Sequence, residues 1–183
     1  MIPTDRLVAA VTERLALAGC VAADEEAVDL VAAAPDARTL DAWVLRREHG
    51  EPPAWITGAH RFGGRTVRVE PGVYVPRWQS EELAQRAAQV LPRHGRAIDL
   101  CTGAGAVAAY LAAAVPTAAV TGVDLDVRAA ACARRNGVAT VVADVAATLP
   151  LRCRADVVTA VAPYVPSGEI GLLPADVQRF EPR

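Results

Sequence analysis

Apolar residues recur at helical spacing through the first fifty positions. Thr4 and Asp5 mark a helix start, and Leu7, Val8, Val11, Leu15 and Leu17 follow until Gly19 stops the run. Asp24 stands where it can cap a second helix carrying Val28, Leu30 and Val31. Pro35-Asp36 opens a third, with Leu40, Trp43, Val44 and Leu45, which ends at His49-Gly50. Three short helices that each bury one stripe predict a helical module over residues 1–57, with Trp43 and Trp55 as its packing anchors. The segment GEPPAWITG breaks this period. HRFGGRTVRVEPGVYVPR then alternates, with Val67 and Val69 set against Thr66, Arg68 and Glu70, and predicts a β-hairpin linker over residues 58–76.

From Ser80 the period changes again. Ser80 is an N-cap residue type, Glu81 and Glu82 suit a first helical turn, and Leu83, Ala87, Ala88 and Leu91 form a stripe. Four strand-like runs follow, at residues 97–100, 119–123, 139–143 and 156–160. One helix begins after Gly105, and a second runs from Asp126 to Asn136 with Gly137 placed to supply a left-handed cap. Strands that alternate with helices imply right-handed β-α-β units and a parallel sheet, so residues 77–183 read as an α/β domain.

The chain has 183 residues, 52% hydrophobic and 22% charged, which is globular composition. Aromatic residues make up only 4%, so the core must come from Ala, Val and Leu. All 19 basic residues are Arg, which together with the abundant Ala reads as a coding bias. The net charge of −2 excludes a general nucleic-acid or anionic-membrane surface, which needs clustered positive charge. Residues 100–123 carry no charge over 24 positions, but Gly103, Gly105, Pro116 and Gly122 punctuate the run as strand, loop, helix and strand rather than a membrane span. Cys20, Cys101, Cys132 and Cys153 are far apart, which argues against zinc and against a disulfide framework. No signal peptide pattern precedes the first helix, so the cytoplasm is the expected location. His49, His60 and His94 have no carboxylate or cysteine at ligand spacing and read as solvated residues.

The densest chemical signal is DLCTGAGA, Asp99 to Ala106, between a strand and a helix. Glycines at 103 and 105 are expected to let the backbone turn sharply and to let a ligand approach where a Cβ would collide. Asp124 follows Gly103 by 21 residues and ends the next strand, where a carboxylate can accept both hydroxyl hydrogens of an adenosine ribose. Asp144 ends the third strand-like run. Strand-glycine-helix turns also occur for packing alone, and GAGAVA matches much of the dinucleotide fingerprint, so an NAD(P)-dependent oxidoreductase stands as a competitor.

Two stretches carry a family resemblance. GEPPAWITGAHRFGGRTVRVEPGVYVPRWQSEEL resembles the linker and helix entry of the release-factor glutamine methyltransferases (the HemK/PrmC family), and AIDLCTGAGAVAAYLA resembles their S-adenosylmethionine motif. The resemblance covers about residues 38–183 and implies a Rossmann-like class I methyltransferase fold, S-adenosylmethionine as cofactor and a release factor as protein substrate. By resemblance, Asp99 belongs to the cofactor motif and Cys101, Thr102, Gly103, Ala104 and Gly105 line the methionine part. Asp124 holds the ribose, Asp144 lies near the adenine, and Arg77 lies near the active-site mouth. Where the family carries Asn-Pro-Pro-Tyr after its fourth strand, this chain has Val161-Ala162-Pro163-Tyr164. Pro163 and Tyr164 remain as backbone and aromatic positioning groups, but Val161 has no polar atom to hold an acceptor amide. That substitution supports a second hypothesis, a non-catalytic relative that binds the cofactor or a partner. By the same resemblance the sheet is expected to be truncated after its fourth strand, where the family continues with three more, which leaves an uncovered edge: either the chain is a shortened product or a second copy covers that edge. Trp78 reads as a packing residue, with closure over the cofactor as its alternative.

Overall fold

The computed structural model describes residues 4–147, 154–163 and 179–180. They form two compact units, one of residues 4–58 with 179–180 and one of residues 59–147 with 154–163.

The first unit is helical. It contains α1 (Thr4–Leu17), α2 (Ala23–Ala33), α3 (Ala37–Glu48) and α4 (Pro53–Thr57). Their apolar stripes meet in a core of Val11, Leu15, Leu30, Leu40, Val44 and Ile56. Asp36 caps α3 as expected, its carboxylate accepting from the Thr39 N–H at 2.7 Å. Asp24 does not cap α2. The cap position is Ala22, and Asp24 lies in the first turn with Glu25 and Glu26, where negative charge complements the helix dipole. GEPPAWITG was expected to be non-helical, yet it contains α4, because Pro52 and Pro53 preset the backbone dihedral of a first helical turn. Trp55 is buried and meets Phe180 edge to face at 6.1 Å. Arg47 is also buried and grips Glu26 through two guanidinium nitrogens, at 2.6 and 3.2 Å.

The second unit opens with the hairpin, β1 (Ala59–Phe62) and β2 (Arg65–Arg68). The strands pair antiparallel across Gly63-Gly64, both at positive φ, as a two-residue hairpin turn requires. Val67 and Val69 are buried while Thr66 and Arg68 are exposed, the predicted alternation. Then come α5 (Gln79–Val90), β3 (Arg96–Leu100), α6 (Ala106–Ala114), β4 (Ala119–Asp124), α7 (Val127–Arg135), β5 (Ala139–Val142) and β6 (Val157–Ala160). Ser80 is not the cap of α5. Its N–H already donates to the Arg77 carbonyl at 3.0 Å, and Trp78 occupies the cap position. The backbone carbonyls of Arg77 and Trp78 serve the first turn, so no side-chain oxygen is needed there. Trp78 itself is 75% exposed and packs little, contrary to the structural role expected of it.

β3 to β6 form a parallel sheet in the order β5-β4-β3-β6. The chain steps outward from β3 through β4 to β5, then returns to β6 on the other side of β3. That reversal makes the carboxyl ends of β3 and β6 a topological switch point, where open α/β sheets form a ligand crevice. α6 and α7 are the crossovers of the outward steps, and Ala108 of α6 and Ala133 of α7 share a buried cluster with Val138, just ahead of β5. This is the Rossmann-like sheet expected from the strand–helix alternation.

Candidate functional site

Every sequence-predicted site residue within the described chain lies at or just beyond a strand end on the carboxyl edge of this sheet, except Arg77, which precedes α5. Asp99 is the last but one residue of β3 and is only 2% exposed. Its Oδ2 accepts from the Thr102 hydroxyl at 2.6 Å and its Oδ1 from the Thr159 hydroxyl on β6 at 2.7 Å. Burial pushes this carboxyl above its ordinary range, opposed by the two threonine hydroxyls and the Ala108 N–H of α6. Asp99 therefore faces inward and braces the loop.

The loop is held at each turn. The Thr102 N–H donates to the Val123 carbonyl of β4 at 3.0 Å, and the Gly105 N–H to the Thr102 carbonyl at 2.7 Å. Cys101 adopts φ +53°, a left-handed conformation that costs a non-glycine residue about 1–2 kcal/mol. Burial raises its thiol pKa, and the neighbouring Asp124 and Asp99 carboxylates raise it further.

The two glycines differ. Gly103 has φ +56°, and a Cβ built there meets nothing within 4 Å. Its side of the loop is open to an approaching ligand. Gly105 has φ +80°, but a Cβ there would lie 2.9 Å from Ala133 Cβ and 3.1 Å from Val138 Cγ2. Of the two glycines, only Gly103 has open space where a Cβ would stand. Gly105 answers the close packing of the loop on α7.

Asp124 ends β4, partly buried. Its Oδ2 accepts from the Gly103 N–H at 2.8 Å and its Oδ1 from the Asp126 N–H at 2.9 Å. Each carboxylate oxygen has about two lone pairs, so each keeps capacity for one further donor. Beside it, Leu125 is 67% exposed. A large apolar side chain left open between two structured aspartates offers a flat hydrophobic face next to that capacity. Asp144 is exposed beyond β5 and accepts from the Ala146 N–H at 2.8 Å. Arg77 lies over the Tyr74 ring at 5.3 Å. Beyond β6, Val161 is half-buried and Ala162 and Pro163 are exposed. Tyr164 lies outside the described residues.

Sequence reasoning missed three residues: Leu125, Thr159 and Asn136. Leu125 had a signal, an apolar residue between two aspartates at a strand end. Thr159 is a lone hydroxyl within an apolar strand. Asn136, at the end of α7, donates to the Ala104 carbonyl and the Arg68 carbonyl, both at 2.8 Å, and accepts from the Arg68 N–H at 2.9 Å. One amide thus fastens the hairpin to the glycine loop. Asn at a helix end is so ordinary a cap that nothing in the sequence singles this one out.

Among the described residues no cluster of His, Cys, Asp and Glu could hold a metal ion, and no helix is long and apolar enough to cross a membrane.

A family model described as a methyltransferase domain matches residues 97–175. The chain is 35% identical over 155 residues to a release factor glutamine methyltransferase of Neisseria gonorrhoeae, a match covering 78% of this chain and 55% of that protein. It is 40% identical over 145 residues to the protein of the same name from Mycolicibacterium smegmatis, covering 73% and 52%. It is 37% identical over 138 residues to a 4-amino-L-phenylalanine/4-methylamino-L-phenylalanine methyltransferase of Streptomyces pristinaespiralis, covering 69% and 47%. The chain spans about half the length of these relatives. All of them, and the family model, are methyltransferases, and nothing in them favours the dinucleotide oxidoreductase.

Proposed function

The chain belongs to the HemK/PrmC-like family of release-factor glutamine methyltransferases, and from that premise we propose that it is an S-adenosylmethionine-dependent methyltransferase. The observation that carries this reading is the open face of Gly103 directly beside Asp124, at the topological switch point of the sheet. The residues present fit the cofactor. Gly103 clears its path over the loop, Asp124 has acceptor capacity for two ribose hydroxyls, and Leu125 offers an apolar face to the adenine. Asp144 lies at the same edge as a further acceptor. The cofactor supplies an electrophilic methyl group on a sulfonium. Burial and the Asp124 and Asp99 carboxylates disfavour the Cys101 thiolate, so this thiol would be a poor competitor for that methyl.

Methyl transfer is an in-line displacement, and the protein contributes positioning and exclusion of water. Val161, Ala162 and Pro163 present no side-chain hydrogen-bond acceptor at the β6 end. A carboxamide nitrogen has a delocalised lone pair and needs such an acceptor to aim it, whereas an amine lone pair is already available. We therefore read the acceptor as an amine, the class named for the Streptomyces relative, ahead of the glutamine amide named for the others. The same feature sustains a second reading, a cofactor-binding relative without transfer activity.

Titration with S-adenosylhomocysteine in a calorimeter tests the cofactor. Tritiated S-adenosylmethionine, offered with 4-amino-L-phenylalanine or with an unmodified release factor, tests the acceptor. Labelling of the amine supports the first reading, and robust labelling of the release-factor glutamine overturns the role given to Val161. Binding without labelling of either favours the non-catalytic relative. Absence of binding refutes the cofactor site.

A further inference from the structure

The carboxylate of Asp99 holds two different parts of the site at once. Through Oδ2 it fixes Thr102 in the glycine loop, and through Oδ1 it fixes Thr159 in β6, two residues before Val161. Thr159 is 3% exposed and pairs with Asp99 in the β3–β6 register, one step from the last pair, Leu100 with Ala160. Its strand is otherwise Val157, Val158 and Ala160. A valine would have the same shape at this position, so packing does not account for the hydroxyl. A buried hydroxyl is costly unless it is bonded, and this one is bonded to Asp99. Where the chain reverses direction, the loops after β3 and β6 diverge, and backbone pairing no longer fixes the distance between them. The Thr159–Asp99–Thr102 bridge spans the floor of that crevice.

We infer that Thr159 is a positioning residue of the cofactor site, holding the glycine loop in place from the acceptor strand through Asp99. This rests on the reading of the loop as a cofactor site. The Asp99 carboxylate bonded to two hydroxyls has one orientation. Without Thr159 it keeps Thr102 and the Ala108 N–H but loses its tie to β6, so it can shift and carry Thr102 with it. The loop backbone then loses its setting relative to Asp124, whose Oδ2 depends on the Gly103 N–H.

The test uses the full chain, S-adenosylhomocysteine as the probe and calorimetry as the readout. Thr159→Val deletes only the hydroxyl and is expected to weaken binding about tenfold. Thr159→Ser restores the hydroxyl and is expected to bind within about threefold of wild type. A purely packing role predicts the opposite order, since Val keeps the shape and Ser leaves a gap. In a cycle with Thr102→Val the two losses are expected to be less than additive, because both act through one carboxylate. Should Thr159→Val fail to fold, Thr159→Ala, which differs from Thr159→Ser only in lacking the hydroxyl, takes its place both in the comparison with Ser and in the cycle with Thr102→Val. Equal affinity of wild type and Thr159→Val, or additive losses, overturns the inference alone. Failure of wild type to bind S-adenosylhomocysteine overturns the cofactor reading and this inference with it.

Discussion

Gly103 and Gly105 lie two residues apart in one loop, both at positive φ, and they should respond to alanine differently, Gly105 mainly in stability and Gly103 mainly in binding. At Gly105 the new Cβ meets Ala133 Cβ at 2.9 Å, Ala133 Cα at 3.1 Å and Val138 Cγ2 at 3.1 Å. None of these is the far end of a flexible side chain, so α7 must shift. Overpacking of this kind costs about 1–3 kcal/mol, and the left-handed backbone adds about 1–2 kcal/mol, for roughly 2–5 kcal/mol together. At about 2–4 °C per kcal/mol for a chain of this size, Gly105→Ala should lower Tm by about 4–20 °C. At Gly103 only the backbone penalty applies, about 1–2 kcal/mol, so Gly103→Ala should lower Tm by about 2–8 °C. Its Cβ projects into the open side of the loop, so it should weaken S-adenosylhomocysteine binding about tenfold or more. Thermal unfolding followed by circular dichroism, paired with calorimetric titration of each variant, separates the two effects. The reasoning fails if Gly105→Ala melts with wild type, or if Gly103→Ala binds with wild-type affinity.

Asp124→Ala should weaken S-adenosylhomocysteine binding by about one to two orders of magnitude, and wild type should prefer the ribose over the 2′-deoxy form of the ligand, an assay in which equal affinities would remove Asp124 from this role. Cys101→Gly should raise stability by about 1 kcal/mol by releasing the left-handed strain, read as an upward shift of the urea midpoint. The Asp99 pKa is raised in the folded chain, so its contribution to stability is present below its unfolded value near 4 and is lost as pH rises through the folded value. Asp99→Asn lacks that loss, so urea midpoints from pH 4 to 7 should show the variant gaining on wild type as pH rises. In the helical unit, Arg47→Ala leaves Glu26 without its partner and should cost about 3–5 kcal/mol, whereas Arg47→Met with Glu26→Gln should recover most of it in the same denaturation assay.

Much of this protein was legible in one dimension, because its signals are local. Three helices, the Gly63-Gly64 hairpin and the strand–helix alternation each follow from a period of 3.6 or 2 and from the residues that punctuate it. The start of α7 at Asp126 and its left-handed Gly137 cap stand where the sequence put them, since such signals depend only on neighbours in the chain. Asp24 and Ser80 show the limit of that logic. Each is a good capping residue, but backbone groups one turn earlier already closed the helix.

The site divides along the same line. That Asp99, Gly103, Asp124 and Asp144 lie together follows from strand-end spacing alone, since parallel strands bring equivalent ends to one edge. What each of them faces does not follow. Whether Gly105 clears a ligand or clears α7 depends on Ala133 and Val138, about thirty residues away. Whether Asp99 binds a ligand or braces a loop depends on Thr159, 60 residues away and adjacent only because the chain reverses across β3. Asn136 joins the hairpin to the loop across 68 and 32 residues. Periodicity along a chain reports which side of an element is buried. Which partner lies on that side is set by the topology of the sheet, and only the tertiary structure decided it.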